Sequence, residues 1–308
     1  MRNAFASTIL DIAQMEPRVL LLTGDLGFMV LEPFQKRYPE RFINVGVSEQ
    51  NLLGLATGLA EAGWIPYVYS IANFIALRPY EFIRNGPVLH RLPVRIVGIG
   101  DGFDYGHAGP THLSIDDVGV LRTLPGMEII APATPGQARE ALLKTYASQG
   151  PIYYRLGKSA GGTLPPVEFH SGKVEWLRNG KDVVLLTMGG IAAEALSAAA
   201  QLEALGISAA VIAVAHISPT PQNALFEVLK KFPLAATIEA HSVQGGLGSM
   251  VAEVIAEGQM VCRLLRFGVR KPFDGRSGSL KWLLREHGLD AASVSSTLHK
   301  MIRNIGEQ

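Results

Sequence analysis

The chain has 308 residues and a mass of 33.1 kDa, about twice the size of a typical domain, so two domains are expected. Its 28 basic and 27 acidic residues give a net charge of +1 and form no basic cluster, which argues against a nucleic-acid partner. One cysteine excludes an internal disulfide framework, and no apolar run reaches the ~18 residues of a membrane span, so we expect a cytoplasmic protein without a membrane partner.

Short apolar runs alternate with segments of helical period along the whole chain. This pattern is typical of βαβ units and predicts an α/β fold of two doubly wound domains with mostly parallel sheets. In the first half, strands are expected at 19–22, 42–47, 65–69, 94–98, 128–130 and 152–154. Ser48 occupies the expected N-cap position of an amphipathic helix, which therefore begins at Glu49.

A stretch rich in Gly, Pro and Ser at 158–173 has neither helical nor strand period and is predicted to be a linker. It separates a first domain at 1–157 from a second at 174–308. In the second domain, strands are expected within 182–190, 209–215, 235–240 and 262–268, with helices near 192–205, 221–231 and 247–257. His216 and His241 follow strands and are interpreted as interdomain contacts.

Glu49 is the first candidate for a functional residue. It follows a strand at the carboxyl edge of the predicted sheet, which is where open α/β sheets bind ligands. The alternative is that its charge merely complements the dipole of the helix that it begins. On the residues alone, the second interpretation is favoured.

Seven short segments, taken together, favour a functional role for Glu49 instead. In chain order they are GDL at 24–26, RFINVGVSEQN at 41–51, YSIANF at 69–74, EFIRN at 81–85, GPTH at 109–112, LPGMEIIAPAT at 124–134 and IEAHSVQGGLGS at 238–249. They resemble the pyrimidine-binding and C-terminal domains of the transketolase family. The same two domains occur in deoxyxylulose-phosphate synthase and in the β subunits of 2-oxoacid dehydrogenases, so the resemblance indicates the superfamily more firmly than the substrate.

The resemblance implies thiamine diphosphate as the cofactor, bound between two polypeptides. A GDG triplet lies at 100–102, but no Asn occurs between Asn85 and Asn179, so the family's diphosphate and metal motif is absent and no metal site is predicted on this chain. The diphosphate and its divalent cation, Mg or Ca, are therefore expected on a separate N-terminal diphosphate-binding subunit. Because pyrimidine-binding domains of this family pair with each other, the implied assembly is an α2β2 heterotetramer.

The resemblance also implies roles for four residues around the aminopyrimidine. Glu49 matches the glutamate that hydrogen-bonds N1′ and favours the 4′-imino tautomer, which requires a carboxyl group kept protonated in an apolar pocket. Phe74 matches the aromatic residue that stacks on the ring, and its alternative is a core phenylalanine. Asp25 and Leu26 match a loop that approaches the cofactor across the dimer interface, and their alternative is an ordinary turn after a strand.

Two further residues are implied in substrate binding. His112 matches the histidine of the family's GPTH loop, which contacts the reacting oxygen of the donor and shuttles a proton, and its alternative is a loop-ordering role. Arg155 matches the arginine that binds a substrate phosphate, and its alternative is a solvated charge at a strand end. His107 and Ala108 replace the acidic pair of transketolase, and Gly100 replaces a phosphate-binding histidine.

The sequence therefore predicts an enzyme that is active only with its partner subunit. The expected function is that of the C-terminal subunit of a split transketolase, which transfers a two-carbon ketol unit from a ketose to an aldose, with sugars or sugar phosphates as substrates. Two alternatives stay open, an enzyme that decarboxylates a 2-oxoacid and a non-catalytic scaffold subunit. The presence of Glu49 argues against the scaffold.

Overall fold

The structure, a computed structural model, describes residues 1–158, 164–271 and 274–306. Residues 159–163 of the predicted linker lie outside this range. The strands are β1 (Val19–Thr23), β2 (Phe42–Asn44), β3 (Ile65–Ile71), β4 (Arg95–Ile99), β5 (Glu128–Ile130), β6 (Ile152–Leu156), β7 (Glu175–Arg178), β8 (Val183–Thr187), β9 (Ala209–Ala213), β10 (His216–Ser218), β11 (Leu234–Ser242) and β12 (Arg263–Val269).

Helices connect most of these strands. They are α1 (Arg2–Met15), α2 (Glu32–Arg37), α3 (Glu49–Glu61), α4 (Ala72–Leu77), α5 (Tyr80–Ile83), α6 (Asp117–Leu121), α7 (Pro135–Thr145), α8 (Ala192–Glu203), α9 (Gln222–Leu229), α10 (Leu247–Glu257), α11 (Leu280–Glu286) and α12 (Ala291–Gly306). Among the described residues, no helix combines the length and the hydrophobicity that crossing a bilayer requires.

The strands form two sheets. The first has the order β10-β5-β6-β4-β3-β1-β2 and the second the order β12-β11-β8-β9-β7. Every pairing is parallel except those of β10 with β5 and of β7 with β9. The predicted α/β fold with two mostly parallel sheets is therefore confirmed.

Strand β1 illustrates why these sheets are covered on both faces. All five of its residues are buried. Val19 and Leu21 pack in a core layer with Phe5 of α1, whereas Leu20 and Leu22 pack in the layer that contains α3. Successive side chains of a strand point to opposite faces, so a continuous apolar run fits a strand between two helical layers.

The two halves of the chain are joined by a strand and by a close backbone contact. Strand β10 comes from the second half but completes the first sheet, where His216 pairs with Ile130. His241 Nε2 accepts a hydrogen bond from the backbone N–H of Gly119 at 3.2 Å. A Cβ on Gly245 would lie 2.8 Å from Gly119 Cα, so this approach requires glycine. His216 and His241 therefore both contact the first half of the chain, as expected if they lie between the two domains.

Candidate active site

The site lies at the carboxyl edge of the first sheet, where Glu49 begins α3 directly after the loop that follows β2. Its side chain is only 2 % exposed. Oε1 accepts a hydrogen bond from Ser70 Oγ, near the end of β3, at 3.2 Å. Oε2 accepts one from Arg78 Nη1 at 2.7 Å. The carboxylate is therefore buried, but both of its oxygens have polar partners.

This environment differs from the apolar pocket that the resemblance implied. Arg78 forms an ion pair with Glu49 and keeps 43 % of its own side chain exposed. The difference arises because Arg78 keeps helical dihedrals after α4 and its backbone N–H donates to the oxygen of Phe74, so the two side chains share one helix face. Arg78 is not among the site residues predicted from the sequence. Its spacing of four residues from Phe74 is the signal that could have indicated it, because residues at this spacing share a helix face.

Phe74 lies on α4 and is half-buried. The Cζ atom of Arg78 lies 3.8 Å from the centroid of its ring, which is a cation–π arrangement. The ring of His112 meets the ring of Phe74 edge-on, with 5.0 Å between the centroids. The structure therefore brings Glu49, Phe74 and His112 together, with Arg78 between the carboxylate and the phenyl ring.

The loop that carries His112 is fixed to α4 by polar contacts. Asn73 Nδ2 donates a hydrogen bond to the backbone oxygen of Thr111 at 2.7 Å. Thr111 Oγ1 lies 3.0 Å from His112 Nδ1, so the hydroxyl orients the imidazole. Gly109, at φ 83°, provides the left-handed turn before this segment. The half-buried imidazole of His112 is thus held beside the phenyl ring, whereas His107 in the same loop is exposed.

Asp25 and Leu26 lie in the loop after β1, close to Glu49. A Cβ on the preceding residue, Gly24, would lie 3.9 Å from Glu49 Oε1. Asn44 holds this loop, since its Oδ1 accepts the N–H of Asp25 at 2.9 Å and its Nδ2 donates to Asp25 Oδ1 at 3.1 Å. The backbone oxygen of Leu26 accepts a hydrogen bond from Thr23 Oγ1 at 2.8 Å. Asp25 is exposed at the rim of the site and Leu26 is half-buried.

Arg155 lies elsewhere. Its side chain is fully buried, with Nε 2.9 Å from Asp117 Oδ2 and Nη1 3.4 Å from Asp101 Oδ2. Nη2 donates to the backbone oxygens of Ser114 and Ala240. Burial opposes its charge, but the two carboxylates raise the pKa of Arg155 above its usual value.

The contact with a substrate phosphate that the resemblance implied does not fit this buried position. Arg155 would have to leave four protein partners to reach a ligand, and both of its carboxylate partners would then be left without it. The exposed side chain of Lys158 follows at the same end of β6. Its Nζ lies 4.9 Å from the ring centroid of Tyr105. Within residues 1–158, 164–271 and 274–306, no three His, Cys, Asp or Glu side chains are grouped to hold a metal ion.

Comparisons with known proteins identify the family of both halves of the chain. The family model of the transketolase pyrimidine-binding domain matches residues 1–163, and that of the transketolase C-terminal domain matches residues 172–294. A putative transketolase C-terminal section from Methanocaldococcus jannaschii is 34 % identical over 97 % of this chain and 95 % of that protein. One of the subunits of an apulose-4-phosphate transketolase, from Actinobacillus succinogenes, is 35 % identical over 86 % of each chain.

A 1-deoxy-D-xylulose-5-phosphate synthase from Syntrophotalea carbinolica is 34 % identical over 98 % of this chain, but the match spans only 48 % of that enzyme. Among solved structures, a split-gene transketolase described as an inactive beta4 tetramer superposes with a TM-score of 0.87 and is 34 % identical. That match covers 98 % of this chain and 97 % of the other. The chain therefore belongs to the transketolase family and has the extent and domain order of the C-terminal section of a split transketolase.

Proposed function

We propose that this chain is the pyrimidine-binding subunit of a thiamine-diphosphate-dependent transketolase, which transfers a two-carbon ketol unit from a ketose donor to an aldose acceptor. The observation that supports this most is the cluster of Glu49, Phe74 and His112 at one sheet edge. Each of these side chains matches a family position, and they come from three different parts of the fold. Packing of the core does not require an acid, an aromatic ring and an imidazole to converge at one sheet edge, so the cluster favours a functional site.

The residues fit the aminopyrimidine half of the cofactor. A flat, hydrogen-bonding cation, the guanidinium of Arg78, already stacks on Phe74 while it donates to Glu49. The same pair therefore suits a planar heterocycle that stacks on a phenyl ring and shares a proton with a carboxylate. When bound, thiamine diphosphate supplies a carbon nucleophile and an electron sink.

The chain's own residues have distinct tasks in this proposal. Glu49 holds the proton at N1′ of the aminopyrimidine, and its burial excludes water from that hydrogen bond. Phe74 orients the ring. His112 donates a hydrogen bond to the reacting oxygen of the donor and returns a proton to it. Asp25 and Leu26 contact the cofactor from the rim formed by the loop after β1.

The diphosphate and its divalent cation, Mg or Ca, are assigned to a separate N-terminal subunit. Isolated chain should therefore bind thiamine diphosphate weakly, because the most highly charged part of the cofactor has no receptor on it. Tight, metal-dependent binding by the isolated chain would contradict the division between two subunits. We place the assembled enzyme in the cytoplasm.

Self-association through the first domain is supported by its surface. The outer face of α3 carries small and apolar residues, since Gly54, Leu55 and Gly58 are exposed. Phe82, on α5, is 45 % exposed and lies against Gly54. Exposed apolar groups gathered on one side of a domain favour a protein partner. We propose that two copies pair here and that two diphosphate-binding subunits complete an α2β2 tetramer.

A second candidate function is decarboxylation of a 2-oxoacid. Two observations favour it, namely the 34 % identity to a deoxyxylulose-phosphate synthase and the absence of an acidic residue at His107 and Ala108. A non-catalytic scaffold would not require Glu49, Phe74 and His112 to converge, which argues against that role.

Reconstitution tests these functions directly. The partner is expected to carry a GDG triplet followed ~25 to 30 residues later by Asn-Asn, and the two chains should be purified together. Ketose donors, with and without phosphate or sulfonate groups, are then compared with pyruvate in the presence of an aldose acceptor. Ketol transfer from a ketose supports the proposal. Carbon dioxide release from pyruvate, with no transfer from any ketose, would support the second candidate instead.

A further inference from the structure

Arg78 is a polar residue of the site to which neither the family resemblance nor the proposed chemistry assigns a role. It follows α4 directly and precedes Pro79. Its guanidinium makes two contacts at once, a hydrogen bond of 2.7 Å to Glu49 Oε2 and a stacked contact with Phe74 whose Cζ–centroid distance is 3.8 Å. A residue that bridges the acid and the aromatic ring blocks access to both.

These two contacts are the ones that the proposed function assigns to the aminopyrimidine. One face of a phenyl ring accommodates one planar group. Among the described residues, the only other hydrogen bond to the Glu49 side chain comes from Ser70, and it goes to Oε1. Arg78 and the aminopyrimidine therefore compete for the same place. Both cannot stack on Phe74 and share a hydrogen bond with Oε2 of Glu49 at the same time.

We propose that Arg78 holds the place of the aminopyrimidine in the cofactor-free chain and swings out to admit the cofactor. This inference rests on the proposed function, because it assumes that Glu49 and Phe74 bind that ring. The ion pair with Arg78 stabilises the buried carboxylate of Glu49 in the cofactor-free chain. A buried carboxylate without a partner is costly, and the guanidinium compensates its charge until the ring replaces it and a proton taken up from solvent is shared between the carboxyl group and N1′.

The position of Arg78 makes such a movement feasible. Its side chain is 43 % exposed, so water solvates the guanidinium once it leaves the carboxylate. Apart from Glu49 and Phe74, its side chain has no hydrogen-bond or ion-pair partner within the part of the chain that the structure describes. The guanidinium end of this ion pair is solvated and the cation–π contact contributes modestly to stability, so replacing both contacts lowers cofactor affinity without preventing binding.

The test compares cofactor affinity in three versions of the reconstituted two-subunit complex, by titration calorimetry with thiamine diphosphate and Mg²⁺. Arg78→Met removes the competing guanidinium but keeps an unbranched side chain. Arg84→Met is the matched control, because Arg84 is exposed on the neighbouring segment and its hydrogen bond goes to the adjacent Asn85. We expect Arg78→Met to bind the cofactor roughly threefold to tenfold more tightly than wild type, and Arg84→Met to match wild type.

The direction of the change is the decisive readout, because damage to the fold would weaken binding. Equal or weaker binding by a folded, assembled Arg78→Met complex would overturn the inference and leave the proposed function standing. Wild-type complex that binds no thiamine diphosphate would overturn the proposed function, and the inference with it. If Arg78→Met does not assemble, a structure of the wild-type complex with bound cofactor decides. A guanidinium displaced from Phe74 supports the inference, and one still stacked there refutes it.

Discussion

The rings of Phe74 and His112 lie edge to face, with 5.0 Å between their centroids and 62° between their planes. Phe74 belongs to α4, whereas His112 lies in a loop beyond β4, so the contact exists only in the folded chain. It links the residue proposed to orient the cofactor to the residue proposed to contact the substrate. Changes at the two positions should therefore be separable by their effects on cofactor binding and on turnover.

His112→Asn should lower kcat about 100-fold, because a general acid–base group contributes at least that much and asparagine cannot exchange a proton. Steady-state kinetics of the reconstituted complex at saturating thiamine diphosphate measures this. His107→Asn is the control, since His107 is exposed in the same loop. An unchanged kcat in His112→Asn would mean that this imidazole only orders its loop and takes no part in catalysis.

Phe74→Ala should weaken thiamine diphosphate binding about tenfold, because the substitution removes the stacking surface and leaves the neighbouring acid in place. Fluorescence or calorimetric titration of the complex reports the change. Phe226→Ala, at a partly exposed phenylalanine of α9, should leave the affinity unaltered. Undiminished affinity in Phe74→Ala would indicate that Phe74 serves only the core.

Arg155→Met should destabilise the chain rather than alter its substrate affinity. The guanidinium joins Asp117 of the first domain to the backbone oxygen of Ala240 in the second, and its loss leaves buried carboxylates unpaired. Breaking such a pair costs about 3–5 kcal/mol. Urea denaturation should show this loss, whereas Arg178→Met, at a surface ion pair with Glu203, should change stability little. A stable Arg155→Met enzyme with a raised KM for phosphorylated donors would restore the substrate role.

The buried His241 should make stability depend on pH. Burial lowers the pKa of this imidazole to about 4, whereas an ordinary histidine has a value of 6.5. Between these values the unfolded chain binds a proton that the folded chain does not, so the free energy of unfolding falls as the pH is lowered. Relative to His241→Asn, wild type should lose about 2 kcal/mol between pH 7.5 and pH 5.

Denaturant titrations of both proteins at several pH values measure this difference. Burial also raises the pKa of Asp104 and of Glu239 to about 7, and these carboxyl groups make stability fall as the pH rises toward that value. Asp104 contributes equally to both proteins and cancels when the two profiles are subtracted, whereas Glu239 Oε2 lies 3.8 Å from His241 Nδ1, so the decisive comparison is the fall in stability below pH 6, where Glu239 stays protonated in the folded chain. A difference that does not vary with pH would mean that His241 titrates normally in the folded chain.

The sequence predicted the parallel strands well, because each is a short apolar run bounded by turn residues. Strand β1, for example, was expected at 19–22 and spans Val19–Thr23. It did not predict β7 or β10. The three-residue β10 has no periodicity of its own and is a strand only because His216 pairs with Ile130 of β5, which is distant in sequence. Pairings between the two halves of the chain are not encoded in a local pattern.

In the candidate site too, some residues could be predicted from the sequence, whereas others depend on long-range packing. The resemblance pointed to Glu49, Phe74 and His112, and the structure brings them together. The burial of Arg155 could not be predicted, because it depends on Asp101 and Asp117, which tertiary packing places around it. Arg78 was missed for a similar reason, since only the folded chain brings it to Glu49.

The proposed function depends above all on Glu49, which holds the proton at the aminopyrimidine of a bound thiamine diphosphate. Glu49→Gln tests it most directly, with Glu227→Gln, at an exposed position of α9 away from the proposed pairing face, as the control. Ketol transfer is measured in the reconstituted complex at saturating cofactor. We predict at least about a 100-fold loss of turnover in Glu49→Gln and none in Glu227→Gln. Turnover like that of wild type in Glu49→Gln would contradict it.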